Sequence, residues 1–455
     1  MVDDFIYRLR SCKSLLGEDN ELEKQSIFLA ESTTFNDPLE DFVYLLYKGD
    51  KILWQSMFRE FVISLECLLF TAPLFDEDNI SEFYKWTLHG PKVGGRFQAK
   101  NYNEHISAIF DKFFSYDEVI KWACYLSKKD NPLNNVQLMG VLSVLSNFAM
   151  ESILHVYEQG ASKNEWKGFI EISKILLNPA KTVNNSALEM LNGEPEDDGI
   201  LDKLWSNSIS DNILAYSKSN SNLKKINYFY FLHDFPKRFV EELKDYVYYR
   251  WYAAAFMSKI PNRMDVWGHY ANNHTGICLI FDKAMGFSKI PSHSQFGEVE
   301  YNDEIIEVDF FKRMWVLNGS KLKEWYTDRN GTISALFDDA FPKDDEREVY
   351  WKSIERIKYR KKTDWKIENE VRLTVDDNWF DNSNPVTRET YYDFKSLKGV
   401  VFGINTSSND KAQIYNIILR KCKESKISDF KFYQARYDYT SKQIVCDLLN
   451  IPLDV

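Results

Sequence analysis

Glycine and proline are scarce in this sequence. Its 455 residues include 18 glycines and 12 prolines, both below the average shares of about 7% and 5%. Since these two residues interrupt helices and strands, their scarcity argues against a loop-rich scaffold. It favours long helices combined with some sheet.

Cysteine is also sparse, and its positions form no motif. No Cys-x-x-Cys pair occurs among the six, which suggests neither a zinc site nor a dense disulfide framework: they are Cys12, Cys67, Cys124, Cys278, Cys422 and Cys446. The first residues, MVDDF, lack the basic and then apolar pattern of a signal peptide. The most apolar stretch, residues 62–70, is short and contains Glu66, so we expect no membrane span and a cytoplasmic protein.

Basic residues are outnumbered, with 57 Lys and Arg against 68 Asp and Glu and a net charge of −11. This balance disfavours constitutive binding of nucleic acid. Aromatic side chains are abundant instead, with 12 Trp, 26 Tyr and 32 Phe in a hydrophobic share of 44%. That share suffices for a buried core. Because one core rarely serves more than ~250–300 residues, we expect two or more structural units.

Strand-like segments lie towards both ends of the sequence, with helical patterns between them. The early strands are residues 6–10 and 26–30, and the later ones are 277–281, 297–301, 370–375, 399–404 and 430–434. One helix is expected between the last two strands, at 410–424. The early strands are too few to bury a face alone, so we expect them to pair with the later ones in one sheet.

Between about 55 and 180, apolar residues recur at helical spacing, whereas 190–225 is polar and turn-rich. The sequence therefore predicts an α+β fold, in which a strand-rich mixed-sheet domain from the N- and C-terminal segments is interrupted by a large all-helical insertion. The predicted parts are the first strands and helix at 1–50, the insertion at 51–190, a loop-rich linker at 191–244 and the rest of the split domain at 245–455.

The first segment that could carry chemistry is residues 35–40, Phe-Asn-Asp-Pro-Leu-Glu. Asp37 as N-cap, Pro38 in the first turn and Glu40 at the third position make a strong helix start, and capping alone explains both acidic residues. Asn36 is not needed for the cap. A polar side chain beside free helix N–H groups suits an anionic ligand, so Asn36 and Asp37 are candidate ligand contacts.

The second segment is residues 267–276, Trp-Gly-His-Tyr-Ala-Asn-Asn-His-Thr-Gly, which leads directly into a strand. Its later part fits a polar turn, and its aromatic residues fit a core. Two histidines without a third nearby ligand make a poor metal site, so we expect no metal here. His269, Tyr270 and His274 are candidates for lining a ligand pocket, with a satisfied, half-buried histidine as the alternative for His269.

The third segment is residues 365–375, where apolar and charged residues alternate. This predicts a half-buried strand whose charged face carries Glu368, Glu370 and Arg372 at intervals of about 6.6–7 Å. One interpretation is a solvated face of alternating charge. In the other, a carboxylate held by a guanidinium lines a cleft and stabilises positive charge on a substrate. The basic run at 356–362 fits either a solvated face or a surface that guides a phosphate-bearing ligand.

Several common catalytic patterns are missing from the sequence. It has no Walker-type loop, no Gly-x-Gly-x-x-Gly after a strand, no His-Glu-x-x-His and no Gly-x-Ser-x-Gly. P-loop nucleotide hydrolases, Rossmann dehydrogenases, zinc proteases and α/β serine hydrolases are therefore disfavoured.

In this order the segments resemble a widespread bacterial family known as domain-of-unknown-function family 2971. Residues 6–10 resemble its opening Leu-Tyr-Lys-Tyr-Arg strand, and 35–40 match its Phe-Asn-Asp-Pro-Phe-Glu motif with Leu39 in place of Phe. Residues 256–258 resemble a strand that ends in Phe-Ser, with Met257 interposed.

The remaining family motifs lie later in the chain. Residues 266–271 resemble a Met-Trp-x-His-Tyr-Ala block, with Val266 in place of Met, and 399–403 resemble a Gly-x-x-Phe-Gly strand. A Trp-x-x-Glu-x-Glu-x-Arg motif is matched by Trp365, Glu368, Glu370 and Arg372. The resemblance covers about 1–45 and 245–440 and leaves 55–230 as an insertion.

The layout is also similar, at the level of the fold, to that of ADP-ribosyltransferases. That resemblance implies NAD as the substrate, with Arg8 orienting it and His269 and Tyr270 lining its pocket. It implies Glu370 as the catalytic carboxylate and Arg372 as its positioner. Arg8 departs from the histidine that many transferases carry on this strand.

The leading hypothesis is an NAD-consuming enzyme, a transferase or glycohydrolase, that acts as an intracellular effector of a bacterial toxin or phage-defence system. One alternative is a non-catalytic module that senses a nucleotide-like small molecule, with the helical insertion binding a partner protein. Another is a nuclease that holds a divalent cation with Asp37, Glu40, Glu368 and Glu370.

Overall fold

The computed structural model describes residues 5–37, 39–71, 100–159, 198–218, 234–284, 287–288, 295–341, 343–376 and 388–453. The chain divides into two compact units. The strand-rich unit comprises Met1–Phe42, Tyr249–Ile305 and Glu348–Val455, and the helical unit comprises Val43–Tyr248 and Ile306–Arg347. The predicted α+β class, with a mixed sheet and a large helical insertion, is confirmed.

Short strands make up much of the described chain. They are β1 (Phe5–Arg10), β2 (Ser26–Phe28), β3 (Ala30–Glu31), β4 (Tyr44–Leu46), β5 (Trp251–Met257), β6 (Ile277–Asp282), β7 (Phe287–Ser288), β8 (Gln295–Glu298), β9 (Glu300–Tyr301), β10 (Glu307–Asp309), β11 (Arg360–Lys361), β12 (Glu370–Asp376), β13 (Glu389–Tyr392), β14 (Leu397–Phe402), β15 (Lys431–Asp438) and β16 (Gln443–Leu449). Of these, β4 and β10 belong to the helical unit, where they pair in parallel.

The strand-rich unit is built on one mixed sheet of nine strands. Its order is β16, β15, β14, β6, β1, β5, β12 and β8, and β3 pairs with β5 as well. The first strand of the sequence thus lies between β5 and β6, as expected from the early strands being too few to stand alone. Two smaller sheets, β2 with β13 and β7, and β9 with β11, complete the unit.

Alternation along the strands gives this sheet two apolar faces. Ile6 packs in one core with Phe256 and Val371, whereas Tyr7 packs in a second core with Met257. Because successive side chains of a strand point to opposite faces, the two cores lie on opposite sides of the sheet. We call these sides the Ile6 face and the Tyr7 face.

Helices cover both units. They are α1 (Cys12–Leu16), α2 (Glu21–Lys24), α3 (Lys51–Thr71), α4 (Lys100–Phe113), α5 (Asp117–Ser127), α6 (Asn135–Gln159), α7 (Asp198–Lys218), α8 (Phe235–Glu242), α9 (Met264–Tyr270), α10 (Gly319–Trp325), α11 (Asp344–Lys358) and α12 (Ser408–Ser425). The helix predicted between the last strands is α12, where Ser407 caps the N-terminus by accepting from the Asp410 N–H.

The helical unit packs around the apolar stripes read from the sequence. Every residue of the two stripes is buried: they are Phe58, Phe61, Val62, Leu65, Leu68 and Leu69 on α3, and Leu138, Val141, Leu142, Leu145, Ala149 and Ile153 on α6. By length and composition α6 could cross a membrane, but 72% of its most apolar window is buried inside the protein. Most of this window therefore packs against other parts of the protein.

Residues 191–244, which composition favoured as loops, contain two helices in their described part. These are α7 and α8, and α8 has Pro236 in its first turn. Phe235, Phe239 and Val240 of α8 are buried, so an apolar helical stripe outweighs the polar composition nearby. The polar run at 219–222 lies outside the described residues.

Candidate functional site

The third sequence segment does form a strand, but its charged side is not solvated. Glu370 and Arg372 alternate with Val371 along β12, so they point to the Tyr7 face, and they are only 6% and 1% exposed. The prediction of a half-buried strand was therefore wrong. Glu370 and Arg372 lie inside the sheet and not at its edge, because β12 pairs with β5 on one side and with β8 on the other.

Arg372 is the centre of this buried charge. Its Nε donates to Glu370 Oε1 at 2.6 Å and its Nη2 to Glu370 Oε2 at 3.1 Å, a two-pronged pair. Nη2 also donates to Glu40 Oε2 at 2.9 Å, and Nη1 to the Lys358 carbonyl at 3.0 Å. Glu40 thus joins a residue 332 positions later in the chain.

Sequence reasoning missed Lys361, which is the second cation of the site. Its Nζ lies 2.7 Å from Glu40 Oε1, 2.7 Å from Glu368 Oε2 and 3.3 Å from Glu370 Oε2, and its side chain is 2% exposed. The only signal was its place in the basic run before the third segment. Position on β11, next to β9, turns it inward.

Other members of that basic run are also engaged within the strand-rich unit. Arg356 pairs with Glu304 at 3.0 Å, and Lys358, 6% exposed, pairs with Asp376 at 2.6 Å. Arg360 donates to backbone carbonyls, including that of Phe42. These basic residues therefore make ion pairs and hydrogen bonds within the unit and do not form an open basic surface.

Glu368 does not share the strand with the other two charged residues. It ends the 3₁₀ helix Thr363–Glu368, and Asn369, in a left-handed conformation with φ of 46°, turns the chain into β12. Through this turn the Glu368 carboxylate still reaches Lys361. We call the group of Glu40, Lys361, Glu368, Glu370 and Arg372 the charge cluster.

The charge cluster contains three carboxylates and two cations, so one negative charge is in excess. Burial raises the pKa of Glu40 and outweighs the attraction of Arg372 and Lys361, with Glu370 adding repulsion. Burial also acts to raise the pKa of Glu370, but the attraction of Arg372 and Lys361 is stronger and holds this pKa below its ordinary value. Glu40 is therefore the member that takes up a proton most readily.

Tyr270 and Asn36 extend the cluster towards the surface. The Tyr270 hydroxyl donates to Glu368 Oε1 at 2.5 Å, and Asn36 Nδ2 donates to the Tyr270 oxygen at 2.9 Å. Burial raises the pKa of Tyr270, with Glu368 adding to the rise against Lys361. Asn36 is exposed. The structure thus brings together Asn36, Tyr270 and the three charged candidates of the late motif.

Arg8 lies elsewhere. It is next to Ile6 and Tyr7 on β1, and alternation places it on the Ile6 face, with its guanidinium 5.3 Å from the centre of the Phe256 ring. Glu370 belongs to the opposite face. The two residues that the transferase resemblance would join on one NAD molecule are therefore on different sides of the sheet.

The two histidine candidates are not part of the charge cluster. His269 is exposed on α9. His274 follows Asn272 and Asn273, and all three have positive φ angles of 47–67°. Its Nδ1 is buried and, within the described residues, has no hydrogen-bond partner. Their roles as ligand contacts stay predictions.

The helix expected to start at Asp37 is absent, and this prediction was wrong. Asp37 Oδ1 accepts from the Leu39 N–H at 2.9 Å, but residues 39–41 form a turn, with Asp41 at a φ of 57°. Glu40 pairs with Arg372 and Lys361 in place of a local N–H. These distant ion pairs override the local capping signal.

A polar cavity of about 240 Å³ borders the charge cluster. Glu368 is the cluster member that lines it, together with Asn369, and Ser258 fixes this wall by donating to the Asn369 carbonyl from both its N–H and its hydroxyl. The lining also includes two cations, Lys259 and Arg263. Arg263 is held by both oxygens of Asp265, whereas Lys259 is exposed and, among the described residues, has no ion pair.

The three carboxylates of the cluster surround a cation that the chain itself supplies. Lys361 Nζ lies between them, and the described residues contain no group of three metal-type ligands placed to hold an ion. Asp37, the fourth carboxylate of the nuclease hypothesis, is engaged with the Leu39 N–H. The arrangement is therefore suited to rigid positioning more than to binding a divalent cation.

The opposite pKa shifts of Glu40 and Glu370 lead to a prediction. At pH 7 Glu370→Gln should lower the free energy of unfolding by about 1.5–3 kcal/mol, because a carboxyl with a lowered pKa stabilises the fold above its unfolded pKa and loses that effect as pH falls. Glu40→Gln should change it by less than about 1 kcal/mol, because a raised pKa means that the charged form is disfavoured in the fold.

Urea unfolding between pH 4 and pH 8 measures both variants against the wild type. Stability conferred by Glu40 is present below its unfolded pKa and is lost as pH rises through the folded value, so Glu40→Gln should flatten that part of the profile. A larger loss for Glu40→Gln than for Glu370→Gln at pH 7 would reverse the assignment.

The fold and the site define a class: an α+β protein whose sheet carries a buried charge cluster beside a polar cavity. Residues 266–373 match the model of a family described as protein of unknown function (DUF2971), which supports the resemblance to that family. This span contains Lys361, Glu368, Glu370 and Arg372, whereas Glu40 lies outside it. No curated protein and no solved structure matches the chain, so the similarity to ADP-ribosyltransferases has no support from these comparisons.

Proposed function

We propose that the strand-rich unit is a ligand-sensing module that binds a nucleotide-like small molecule in the polar cavity beside Glu368. The observation that carries this proposal is the cavity itself, whose lining includes Lys259, Arg263, Glu368 and Asn369. Its volume of about 240 Å³ lies just under the range of about 300–1,000 Å³ usual for small-molecule sites. A phosphate group with part of a nucleoside is of that size.

The charges of the cavity suit such a ligand. Lys259 offers an ammonium group that makes no ion pair with the described residues, and Asn262 and Asn369 offer amides. Because Arg263 is paired with Asp265, Lys259 is the group best placed to meet a phosphate. The charge cluster holds the Glu368 wall in place through Lys361 and Tyr270, which pre-organises the site.

Titration calorimetry with AMP and ADP tests the proposal on the full chain. We expect Lys259→Ala to weaken binding about tenfold, since it removes a charged hydrogen bond. Lys431→Ala, an exposed lysine on β15, is the matched control and should bind as the wild type does. The absence of binding by the wild type, or equal affinity of the two variants, would contradict the proposal.

A second candidate function is the NAD-consuming enzyme, and one observation favours it. Glu368 lines the cavity and at the same time accepts from Tyr270 at 2.5 Å, so a carboxylate borders the space where a substrate would lie. Glu370 and Arg372 would then position Glu368 through Lys361. Release of nicotinamide from NAD, lost in Glu368→Gln and retained in Lys431→Ala, is the test.

A role in a toxin or phage-defence system depends on one of these two activities. An effector of a toxin or phage-defence system needs either the NAD-consuming reaction or a partner that responds to the bound ligand. Contact of the helical unit with a partner protein stays a prediction, and co-purification of a protein partner with the full chain would test it.

A further inference from the structure

The nine-stranded sheet has a gap in its strand pairing along one edge of β5. β12 pairs with β5 along the whole of Trp251–Met257. On its other edge β5 pairs with β1 at Met257 and with β3 at Tyr252 and Ala253. Within the described strands, nothing pairs with this edge at residues 254–256. We call this gap between β1 and β5 the fork.

The side chain of Arg8 enters the fork. Its Nη1 donates to the Ala255 carbonyl at 3.0 Å, a backbone group that the missing strand pairing leaves open. The residue is 7% exposed, and this is the one hydrogen bond that its guanidinium makes to the described residues. A guanidinium carries five N–H donors, so most of its donors are left for another partner.

Among the described residues, no carboxylate pairs with Arg8. Glu21 is the nearby acid, and both of its oxygens accept from Arg10. Burial lowers the pKa of Arg8 to about 9, with Arg10 adding to the decrease against Glu21. This corner of the Ile6 face therefore has one positive charge more than it has negative charges.

A buried hydroxyl adjoins the same place. Tyr392 is 3% exposed, its hydroxyl is without a hydrogen-bond partner among the described residues, and its ring packs on Phe281 at 4.9 Å. Phe281 also lies 6.0 Å from Phe256, the ring over which the Arg8 guanidinium is placed, so Arg8 and Tyr392 border the same group of aromatic rings on the Ile6 face. An unpartnered buried hydroxyl costs about 1–3 kcal/mol, so a ligand that accepts from it is favoured.

We propose that the fork binds an oxyanion, a phosphate or carboxylate group, between the Arg8 guanidinium and the Tyr392 hydroxyl. The planar guanidinium matches such a group with two parallel hydrogen bonds, and the phenol supplies a third donor. The exposed side chain of Ala255 lies on the Tyr7 face, because it alternates with Phe256, so solvent borders the fork on the side of the sheet opposite to Tyr392. This site is separate from the cavity beside Glu368, and it does not depend on the function proposed for that cavity.

Tyr392→Phe is the decisive variant, because it removes only the hydroxyl. If nothing binds in the fork, losing an unpartnered buried hydroxyl should leave stability unchanged or increase it in every buffer. If an oxyanion binds, millimolar sodium phosphate at constant ionic strength should raise the melting temperature of the wild type, as binding to the folded state requires. In Tyr392→Phe the apparent affinity for phosphate should be about tenfold weaker.

Tyr391→Phe is the matched control, since Tyr391 donates to Glu389 at 3.0 Å, and it should respond to phosphate as the wild type does. Acetate and AMP, each titrated in turn, distinguish a carboxylate and a nucleotide phosphate from free phosphate. A larger shift with one of them identifies the source of the group. Equal phosphate responses of the wild type and Tyr392→Phe, or no response of the wild type to any of the three, would overturn the proposal.

Discussion

Replacing Arg372 by methionine should lower the free energy of unfolding by about 3–5 kcal/mol. The guanidinium is 1% exposed and holds both oxygens of Glu370 as well as Glu40. Without it, two carboxylates stay buried with Lys361 as their shared cation. Removing one partner of a buried ion pair is costly because the remaining charge loses its compensation but cannot return to water. Urea unfolding of the full chain measures the loss.

Two further variants make this expectation specific. Arg436→Met removes an exposed arginine that pairs with Asp447 at 2.6 Å, and it should cost less than about 1 kcal/mol. The double variant Arg372→Met with Glu370→Gln removes charges of both signs and should recover part of the stability. A loss in Arg372→Met no larger than in Arg436→Met would show that the buried pairs contribute little.

Replacing Lys361 by methionine should have an effect of similar size, about 3–5 kcal/mol at pH 7, but with a distinct dependence on pH. Lys361 is the cation shared by Glu40, Glu368 and Glu370. Without it Arg372 is the one remaining cation of the cluster, paired with Glu40 and Glu370, so the pKa values of these two carboxyls in the folded state rise. A raised carboxyl pKa destabilises the fold as pH rises through it, so the deficit should be greatest at neutral pH.

As pH falls towards the unfolded value of about 4.3 for Glu, the carboxyls of the variant become neutral and the deficit should shrink. The stability curves of the wild type and Lys361→Met should therefore converge in acid. Lys431→Met, on an exposed position of β15, should follow the wild type throughout. A deficit that is independent of pH would show that Lys361 acts through packing of its alkyl chain and not through charge.

The charge cluster connects segments that are distant from one another in the sequence. It ties together a turn near residue 40, strand β11, a 3₁₀ helix and strand β12. The same helix supplies Glu368 to the wall of the cavity. The buried charges thus act on the proposed ligand site by fixing its wall, which is why their substitution should change stability more directly than chemistry.

Much of the secondary structure could be predicted from local pattern. Strand β1, strand β12 and helix α12 fall where alternation or helical spacing placed them. The apolar stripes of α3 and α6 are buried as their spacing predicted. These features depend on residues within a few positions of one another, and local order in the sequence suffices to reveal them.

The candidate site was predictable only in part. The polar motifs of the sequence pointed to Asn36, Tyr270 and Glu368, and hydrogen bonds link these three residues in the structure. Lys361 was missed, because nothing in a run of basic residues tells which one turns inward. Arg8 was expected beside Glu370, yet the pairing of β1 with β5 and of β5 with β12 sets them on opposite faces.

The sequence by itself therefore determined the split α+β organisation, the main strands and helices, and the motifs that resemble a family of unknown function. Tertiary structure alone decided which charged residues are buried and which cation serves them. The physical reason is distance along the chain: Glu40 and Arg372 are 332 residues apart. Alternation fixes the faces within one strand, whereas pairing between strands fixes which faces coincide.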